Sequence, residues 1–218
     1  MSDMSEIQKK MPPSEEMRSI GLDMWKTKRR NFKELERESI RDSLTGLYNR
    51  AYFDEQFDKT ETGSVLILDL DKFKDVNDSC GHPFGDRVLK TVASKLQASV
   101  REKDTVARYG GEEFAIILDG DIDGKKVAER AELIRAAIEE IKMECSTEND
   151  DGTWEKNDVN PTISIGVAEL SEDRSQTLKR ADDALYLAKE KGRNRVEMWT
   201  KPVTGELNGL RLKKQTSN

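Results

Sequence analysis

Cysteine is scarce in this sequence of 218 residues: Cys80 and Cys145 are the only two, and they form no CxxC pair. The sequence therefore predicts free thiols in a reducing compartment, and neither a disulfide framework nor a zinc site. Long apolar runs are also missing. No stretch approaches the ~18 residues of a membrane span, and the N-terminus lacks the apolar core of a signal peptide. We expect a cytoplasmic protein without a membrane segment.

Basic residues are not in excess, which limits the ligands that the chain can hold. Lys and Arg number 37 against 43 Asp and Glu, for a formal net charge of -6. This balance argues against a generic nucleic-acid binder held by phosphate neutralisation. The phosphate-binding patterns GxxxxGK[ST] and GxGxxG are absent as well. A bound nucleotide would therefore need its charge met by metal ions and a few placed cations.

The residues that are present divide the chain into three parts, residues 1–40, 41–200 and 201–218. The first part begins with a polar tail and continues, from Ser14, with a stretch rich in helix formers and charges. Its apolar residues fall roughly on one stripe, which Lys28 interrupts. A helix that pairs two chains and a solvated helix packed on its own domain both remain open. Residues 201–218 have the composition of a tail.

Residues 41–200 alternate between helical and strand patterns, which predicts an α/β (α+β) fold with a central mixed sheet flanked by helices. Helices are expected at residues 47–58, 83–101, 125–142 and 175–192. Strands are expected at residues 64–71, on both sides of Gly110 and Gly111, at 161–170 and at 195–199. Residues 146–160 are expected to form an irregular surface insert. The two glycines indicate a hairpin, since tight hairpin turns need positive φ at their central residues.

Two acidic strand ends carry the first chemical signal. Asp69 follows the apolar run Val65–Leu68, where a strand buried on both faces should emerge, and it is either a helix cap or a metal ligand. Its spacing excludes an EF-hand loop, which needs glycine where Lys74 stands. Glu112 and Glu113 open the strand after the hairpin turn, and by themselves they would fit a solvated hairpin tip. If the hairpin lies beside the strand that ends at Asp69, the carboxylates converge, and oxygen ligands without histidine or thiolate suit Mg²⁺.

A set of ordered motifs then resembles a known family, the GGDEF domain of bacterial diguanylate cyclases. The motifs are "DSLTGLYNRAYFD", "DLDKFKDVNDSCGHPFGD", "RYGGEEF", "ISIGVA" and "YLAKEKGRN", and they extend from Asp42 to about Val196. The resemblance implies a fold similar to the palm of polymerases and class III nucleotidyl cyclases, preceded by an N-terminal helix that signals or dimerises. It also implies a homodimer that condenses two GTP into cyclic di-GMP and pyrophosphate, each 3'-hydroxyl attacking the partner's α-phosphate. Glutamate replaces aspartate at the third position of the signature and keeps the carboxylate.

Carried over by position, the resemblance assigns roles to individual residues. It makes Asp69, Glu112 and Glu113 catalytic, although the role of Glu113 as ligand or base stays open. Asp69, Glu112 and the backbone carbonyl of Leu70 become the ligands of two Mg²⁺ ions, with Mn²⁺ as an alternative. The residues expected to contact GTP are Phe73, Lys74, Asn77, Asp86, Gly110, Gly111, Lys189 and Arg193. Within this set, Asn77 and Asp86 match the pair that recognises guanine.

The resemblance also implies regulation by product. Arg101 and Asp104 form an RxxD pattern that is separated from Gly110 by five residues, the spacing of the family's inhibitory site for cyclic di-GMP. Two other classes of function stay open. One is a degenerate domain that only receives GTP or cyclic di-GMP, and the intact Asp69 and Glu112 argue against it. The other is a scaffolding protein with a vestigial site.

Overall fold

The computed structural model describes residues 39–120, 123–148 and 153–200. The tail and helix predicted for residues 1–40, apart from the last two positions, and the tail predicted for 201–218 lie outside this part. The elements from Arg50 onward are, in chain order, α1 (Arg50–Lys59), β1 (Gly63–Leu70), α2 (Phe73–Cys80), α3 (His82–Ala98), β2 (Thr105–Arg108), β3 (Glu113–Asp119), α4 (Gly124–Glu139), β4 (Met143–Glu148), β5 (Trp154–Val159), β6 (Ile163–Glu169), α5 (Arg174–Glu190) and β7 (Val196–Met198). None of the described helices has the length and apolarity needed to cross a bilayer.

The central sheet has five strands in the order β2-β3-β1-β6-β7. Neighbouring strands are antiparallel except β6 and β7, which are parallel, so the prediction of a mixed sheet flanked by helices is confirmed. Leu66 and Leu68 of β1 pack into the core that α2, α3 and α4 cover. Val65 and Ile67 pack into a second core, which α1 and α5 cover. Side chains alternate along a strand, so a continuous apolar run buries both faces of β1 and places helices on each side.

Helix α5 lies directly on β6 because Gly166 has no side chain. A Cβ atom at Gly166 would overlap the backbone of Ala181 and would lie 2.7 Å from the Cα atom of Leu185. This close approach positions the C-terminal end of α5, which carries Lys189, near the end of the central strand β1. The packing of α5 against the sheet thereby brings the cation Lys189 to the end of β1, where the candidate active site lies.

The prediction that residues 146–160 form an irregular insert is wrong. Strands β4 and β5 pair antiparallel, from Met143 opposite Val159 to Glu148 opposite Trp154, as a two-stranded sheet that we call the β4–β5 hairpin. The residues of β5 are mostly exposed. A strand without a buried face has no apolar alternation, and the sequence therefore did not indicate it.

The prediction of free thiols is also wrong. Cys80, the last residue of α2, and Cys145 in β4 form a disulfide, with their Cα atoms 6.0 Å apart. The two residues are separated by 65 positions in the chain. Spacing of that length carries no information about proximity, and the pairing depends on how α2 packs beside the β4–β5 hairpin.

Candidate active site

Three carboxylates meet where β1 ends beside the hairpin of β2 and β3. In the antiparallel register Asp69 lies opposite Glu113, and the backbone N–H of Leu70 donates to the carbonyl of Glu112 at 3.2 Å. Asp69 is only 7% exposed, and Glu112 and Glu113 are half-buried. The structure thus brings together Asp69, Glu112, Glu113 and the end of β1 at Leu70, and we call the three carboxylates the acidic corner.

The acidic corner has an excess of negative charge in a partly desolvated place. Burial raises the pKa of Asp69, although its ion pair with Lys189, with Nζ 2.8 Å from Oδ2, acts in the opposite direction. Burial also raises the pKa of Glu112, and the charges of Asp69 and Glu113 raise it further, while Lys189 opposes the rise. Carboxylates that repel one another in this way bind a proton or a cation readily. One lysine compensates only part of the charge.

The donors of the acidic corner fit a hard divalent cation that is shared with a phosphate ligand. Within the described ranges, no group of three or more His, Cys, Asp or Glu side chains is arranged as a metal cage. The carboxylates of Asp69 and Glu112 and the carbonyl of Leu70 offer oxygen alone. Mg²⁺ usually binds to one or two carboxylates and takes its remaining ligands from water and substrate phosphates. The donor set therefore suits Mg²⁺ bound together with a nucleotide.

The loop between β2 and β3 is held by an arginine that the sequence analysis did not single out. The guanidinium of Arg108 donates to the carbonyl of Gly111 at 2.8 and 3.1 Å and lies 3.3 Å from the carboxylate of Asp42. Asp42 also accepts the backbone N–H and hydroxyl of Thr45. Although burial raises the pKa of Asp42, the hydrogen bonds from Thr45 and the guanidinium of Arg108 lower it overall. Arg108 thereby positions the loop that ends at Glu112.

The hairpin prediction is confirmed, but its conformational reason is wrong. Neither Gly110 nor Gly111 has a φ in the left-handed region. The connection spans residues 109–112, and the longer loop turns without the positive φ that a two-residue turn needs. A Cβ atom at Gly110 would overlap the carboxylate of Glu113, whereas Gly111 borders open space. Gly110 thus makes room for the carboxylate of Glu113, and Gly111 leaves open space beside the loop.

Helices α2 and α3 carry the residues predicted to contact the nucleotide. Phe73 is buried at the start of α2, Lys74 beside it is exposed, and Asn77 is half-buried. The amide oxygen of Asn77 lies against Gly85 of α3, where a Cβ atom would overlap it. Asp86, the next residue, is exposed. The glycine lets α2 and α3 approach closely, and Asn77 and Asp86 are thereby brought to adjacent helices.

Two further charged side chains, Arg193 and Asp71, lie near the acidic corner. Arg193, exposed and with a φ of 63°, follows α5, and its charge acts on Asp69. Asp71 accepts from the hydroxyls of Thr162 and Ser164 at 2.8 and 2.6 Å and from the backbone N–H of Asn194 at 2.9 Å. Asp71 thus fixes the loop of Arg193 to the end of β1. No local sequence pattern indicates this role, because the partners of Asp71 lie 91 to 123 residues away.

The two residues of the RxxD pattern have different surroundings. Arg101 is exposed, whereas the side chain of Asp104 is buried. The carboxylate of Asp104 accepts the backbone N–H groups of Arg101 at 2.9 Å and Asp119 at 3.1 Å, and it forms an ion pair with Arg130. In this conformation Asp104 joins the α3–β2 connection to β3 and α4.

The sequence of this chain matches a known protein family and several of its named members. The sequence matches the family profile described as "Diguanylate cyclase, GGDEF domain" over residues 39–195. The chain is 37% identical over 179 residues to diguanylate cyclase DosC of Escherichia coli K12, a match that covers 77% of this chain and 37% of DosC. It is 38% identical over 169 residues to diguanylate cyclase VdcA of Vibrio cholerae, covering 74% of this chain and 48% of VdcA. The chain thus spans less than half the length of these two relatives.

A solved structure supports the same relationship. The coiled coil and GGDEF domain of DgcB from Caulobacter crescentus, in complex with c-di-GMP, has a TM-score of 0.73 and 32% identity, covering 84% of this chain and 98% of that chain. The matched profile includes every element from α1 to α5, and with them Asp69, Glu112 and Lys189. Because the family profile matches most of the chain and the fold resembles a solved GGDEF domain, the chain belongs to the GGDEF domain family.

Proposed function

We propose that this protein is a diguanylate cyclase, which condenses two GTP into cyclic di-GMP and two pyrophosphates. The observation that carries the proposal is the convergence of Asp69 and Glu112 at the end of β1, countered by Lys189. Membership of the GGDEF family and similarity to named diguanylate cyclases support it. A receptor that binds GTP or cyclic di-GMP without turnover is the alternative, and it has no evident need for two repelling carboxylates.

Asp69, Glu112 and the carbonyl of Leu70 would hold two Mg²⁺ or Mn²⁺ ions. When bound, such ions lower the pKa of an attacking hydroxyl and neutralise phosphate charge. Glu113 lies close enough to Glu112 to affect its pKa, and we propose that it serves as a further ligand or as the base. The open space beside Gly111 admits the nucleotide to the loop backbone.

The remaining residues bind and orient GTP. Lys74, Lys189 and Arg193 supply positive charge for the phosphates, which the chain needs because it has no phosphate-binding loop of the common types. Phe73 begins the helix from which Lys74 extends. Asp86 accepts the N1 and N2 hydrogens of guanine and Asn77 adds a contact. Adenine lacks that pair of donors, so we expect ATP to be rejected.

Two further aspects complete the proposal. Each chain holds one GTP, so the reacting species is a homodimer in which two acidic corners face each other. Cyclic di-GMP inhibits the enzyme through the exposed guanidinium of Arg101, on the connection that Asp104 shapes. We place the reaction in the cytoplasm, where GTP is available.

The test is incubation with GTP and Mg²⁺ followed by product identification, for wild type and Glu112→Gln. The amide keeps the size of the side chain but removes a negative charge that the cations need. We expect turnover to fall at least about 100-fold, the size typical of losing a group that stabilises transition-state charge, with the fold retained by circular dichroism. Glu129→Gln, at an exposed position of α4, is the matched control and should keep wild-type activity. Binding of GTP by wild type without any product would favour the receptor.

A further inference from the structure

The disulfide joins the helix that carries the predicted guanine contact to a separate part of the domain. Cys80 lies three positions after Asn77, at the end of α2. Cys145 lies in β4, in the two-stranded hairpin that does not pair with the central sheet. The disulfide therefore links α2 to an element outside the central sheet.

Helix α2 is anchored in the core by Phe73 at its start, whereas Asp78 and Ser79 near its end are exposed. It has eight residues, and it lies between two left-handed positions, Lys72 with a φ of 53° and Gly81 with a φ of 79°. One side contacts α3 through Asn77 and Gly85. Another side borders a cleft of about 850 Å³, which Val76 and Cys80 line together with residues of the β4–β5 hairpin. A short helix beside a cleft depends more on a covalent link than a helix packed on all sides.

Small thiols can approach the disulfide from the side of Cys80, the less buried of its two residues. Cys80 and Cys145 line a second cleft of about 360 Å³, together with Arg87 and Glu144. Cys80 is half-buried, whereas Cys145 is 5% exposed. Exchange therefore begins at Cys80, the more exposed of the two. In a reducing compartment, a disulfide of this kind is usually transient and responds to oxidants.

We infer that Cys80 and Cys145 form a redox modification site, whose oxidation by small disulfides fixes α2 and increases the affinity of the domain for guanine nucleotides. The effect on nucleotide affinity rests on the proposed function, because it depends on Asn77 contacting guanine. The effect of oxidation on the position of α2 does not rest on the proposed function. The oxidised state holds α2 in the position that contacts α3, and the reduced state leaves α2 free to move toward the cleft.

The chemistry is thiol–disulfide exchange with a small disulfide such as glutathione disulfide. The Cys80 thiolate attacks one sulfur atom of glutathione disulfide and releases one glutathione thiolate. The Cys145 thiolate then attacks the sulfur atom of Cys80 in the mixed disulfide and releases the second glutathione. The two cysteines lose two electrons and two protons, and glutathione disulfide is reduced to two glutathione molecules. Excess reduced glutathione reverses both steps.

The first experiment measures the disulfide and its effect on α2 in the full chain. The protein is equilibrated with glutathione buffers of different ratios, alkylated and analysed by mass spectrometry, and backbone hydrogen exchange is followed in both end states. We expect an intramolecular Cys80–Cys145 crosslink in oxidising buffer, and slower exchange in α2 and the β4–β5 hairpin than in the reduced protein. Two free thiols in oxidising buffer, a crosslink only between chains, or equal exchange in both states would overturn the inference.

The second experiment measures binding of a GTP analogue with an α,β-methylene bridge, in the presence of Mg²⁺. We expect the dissociation constant to be at least about fivefold lower for oxidised than for reduced wild type, a difference at the lower end of typical coupling between sites. Cys80→Ser and Cys145→Ser should bind like reduced protein in either buffer, and Ser146→Ala should respond like wild type. If Cys145→Ser does not fold because Cys145 is buried, Cys80→Ser alone still tests the inference.

The outcomes separate the two hypotheses. Equal affinity of oxidised and reduced wild type overturns the inference and leaves the proposed function standing. Absence of binding in both states contradicts the proposed function, and hydrogen exchange in α2 then decides the redox inference alone.

Discussion

A single missing side chain, at Gly85, decides where the amide of Asn77 lies. An ideal Cβ atom there would overlap the amide oxygen of Asn77 and would lie 3.2 Å from Cζ of Phe73. Alanine normally stabilises a helix by ~1 kcal/mol relative to glycine. At this position the added methyl group has to displace a flexible side chain that we assign to guanine. Alanine at position 85 should therefore favour the helix but weaken ligand binding.

We predict that Gly85→Ala keeps the melting temperature within a few degrees of wild type but weakens binding of a GTP analogue about tenfold. The loss corresponds to one hydrogen bond to the base, worth ~1–1.5 kcal/mol. Isothermal titration calorimetry gives the affinity and differential scanning fluorimetry the stability. Gly124→Ala is the matched control, because a Cβ atom there lies 3.7 Å from its nearest neighbour. Unchanged affinity in Gly85→Ala would remove Asn77 from the nucleotide site.

At the scale of elements, the connection between α3 and β2 combines a structural carboxylate with an exposed cation. Asp104 accepts hydrogen bonds from the connection and from β3 and pairs with Arg130 of α4. Removing that carboxylate would leave a buried guanidinium and two backbone N–H groups without their acceptor, which is costly. A substitution of Asp104 would therefore alter folding as well as product inhibition, and the two effects on activity could not be separated. Arg101, which is exposed, allows the regulatory proposal to be tested separately.

We predict that Arg101→Ala leaves the initial rate near that of wild type and extends the linear phase of product formation. The guanidinium can bind phosphate or the Hoogsteen edge of guanine in a forked geometry, so that its loss should abolish product binding outside the acidic corner. Progress curves with added cyclic di-GMP measure this directly, with Lys126→Ala on the exposed side of α4 as the control. Equal product inhibition in Arg101→Ala and wild type would make this residue an ordinary surface arginine.

At the scale of the whole molecule, the proposed reaction needs two chains, since each acidic corner serves one GTP. Residues 14–40 are the predicted means of pairing them, and all but the last two lie outside the described residues. If they pair the chains, they raise the local concentration of one domain around the other. The monomer–dimer equilibrium would then limit activity only at low protein concentration.

We predict that deletion of residues 1–40 makes the specific activity depend more steeply on protein concentration. Without the helix, encounter of two domains becomes a bimolecular step, and the specific activity should rise nearly in proportion to concentration. Initial rates over a hundredfold dilution series test this, together with analytical ultracentrifugation. Deletion of residues 201–218 is the control and should leave the dependence unchanged. The same dilution curve for both deletions would show that the helix does not pair the domains.

Several features of the fold and of the site could be predicted from local patterns of residues. The apolar run before Asp69 indicated a strand buried on both faces, the glycine pair indicated a hairpin, and the acidic residues at both strand ends predicted a common corner. These predictions succeeded because side-chain periodicity and the interruption of a strand by glycine are properties of a few neighbouring residues, although the turn does not use the positive φ that the glycine pair suggested. The ordered motifs added the family, and with it the expected roles of Asn77, Asp86 and Lys189, which remain to be tested.

Contacts between residues that are distant in the chain could not be predicted and became visible in the folded chain. The pairing of Cys80 with Cys145, the three partners of Asp71 and the burial of Asp104 against Arg130 are contacts between separate elements. No local pattern reports them, since they depend on how helices and strands pack after they form. The β4–β5 hairpin was missed for the related reason that β5 is mostly exposed and buries too little to leave a periodic signal. Packing, rather than propensity, made these residues neighbours.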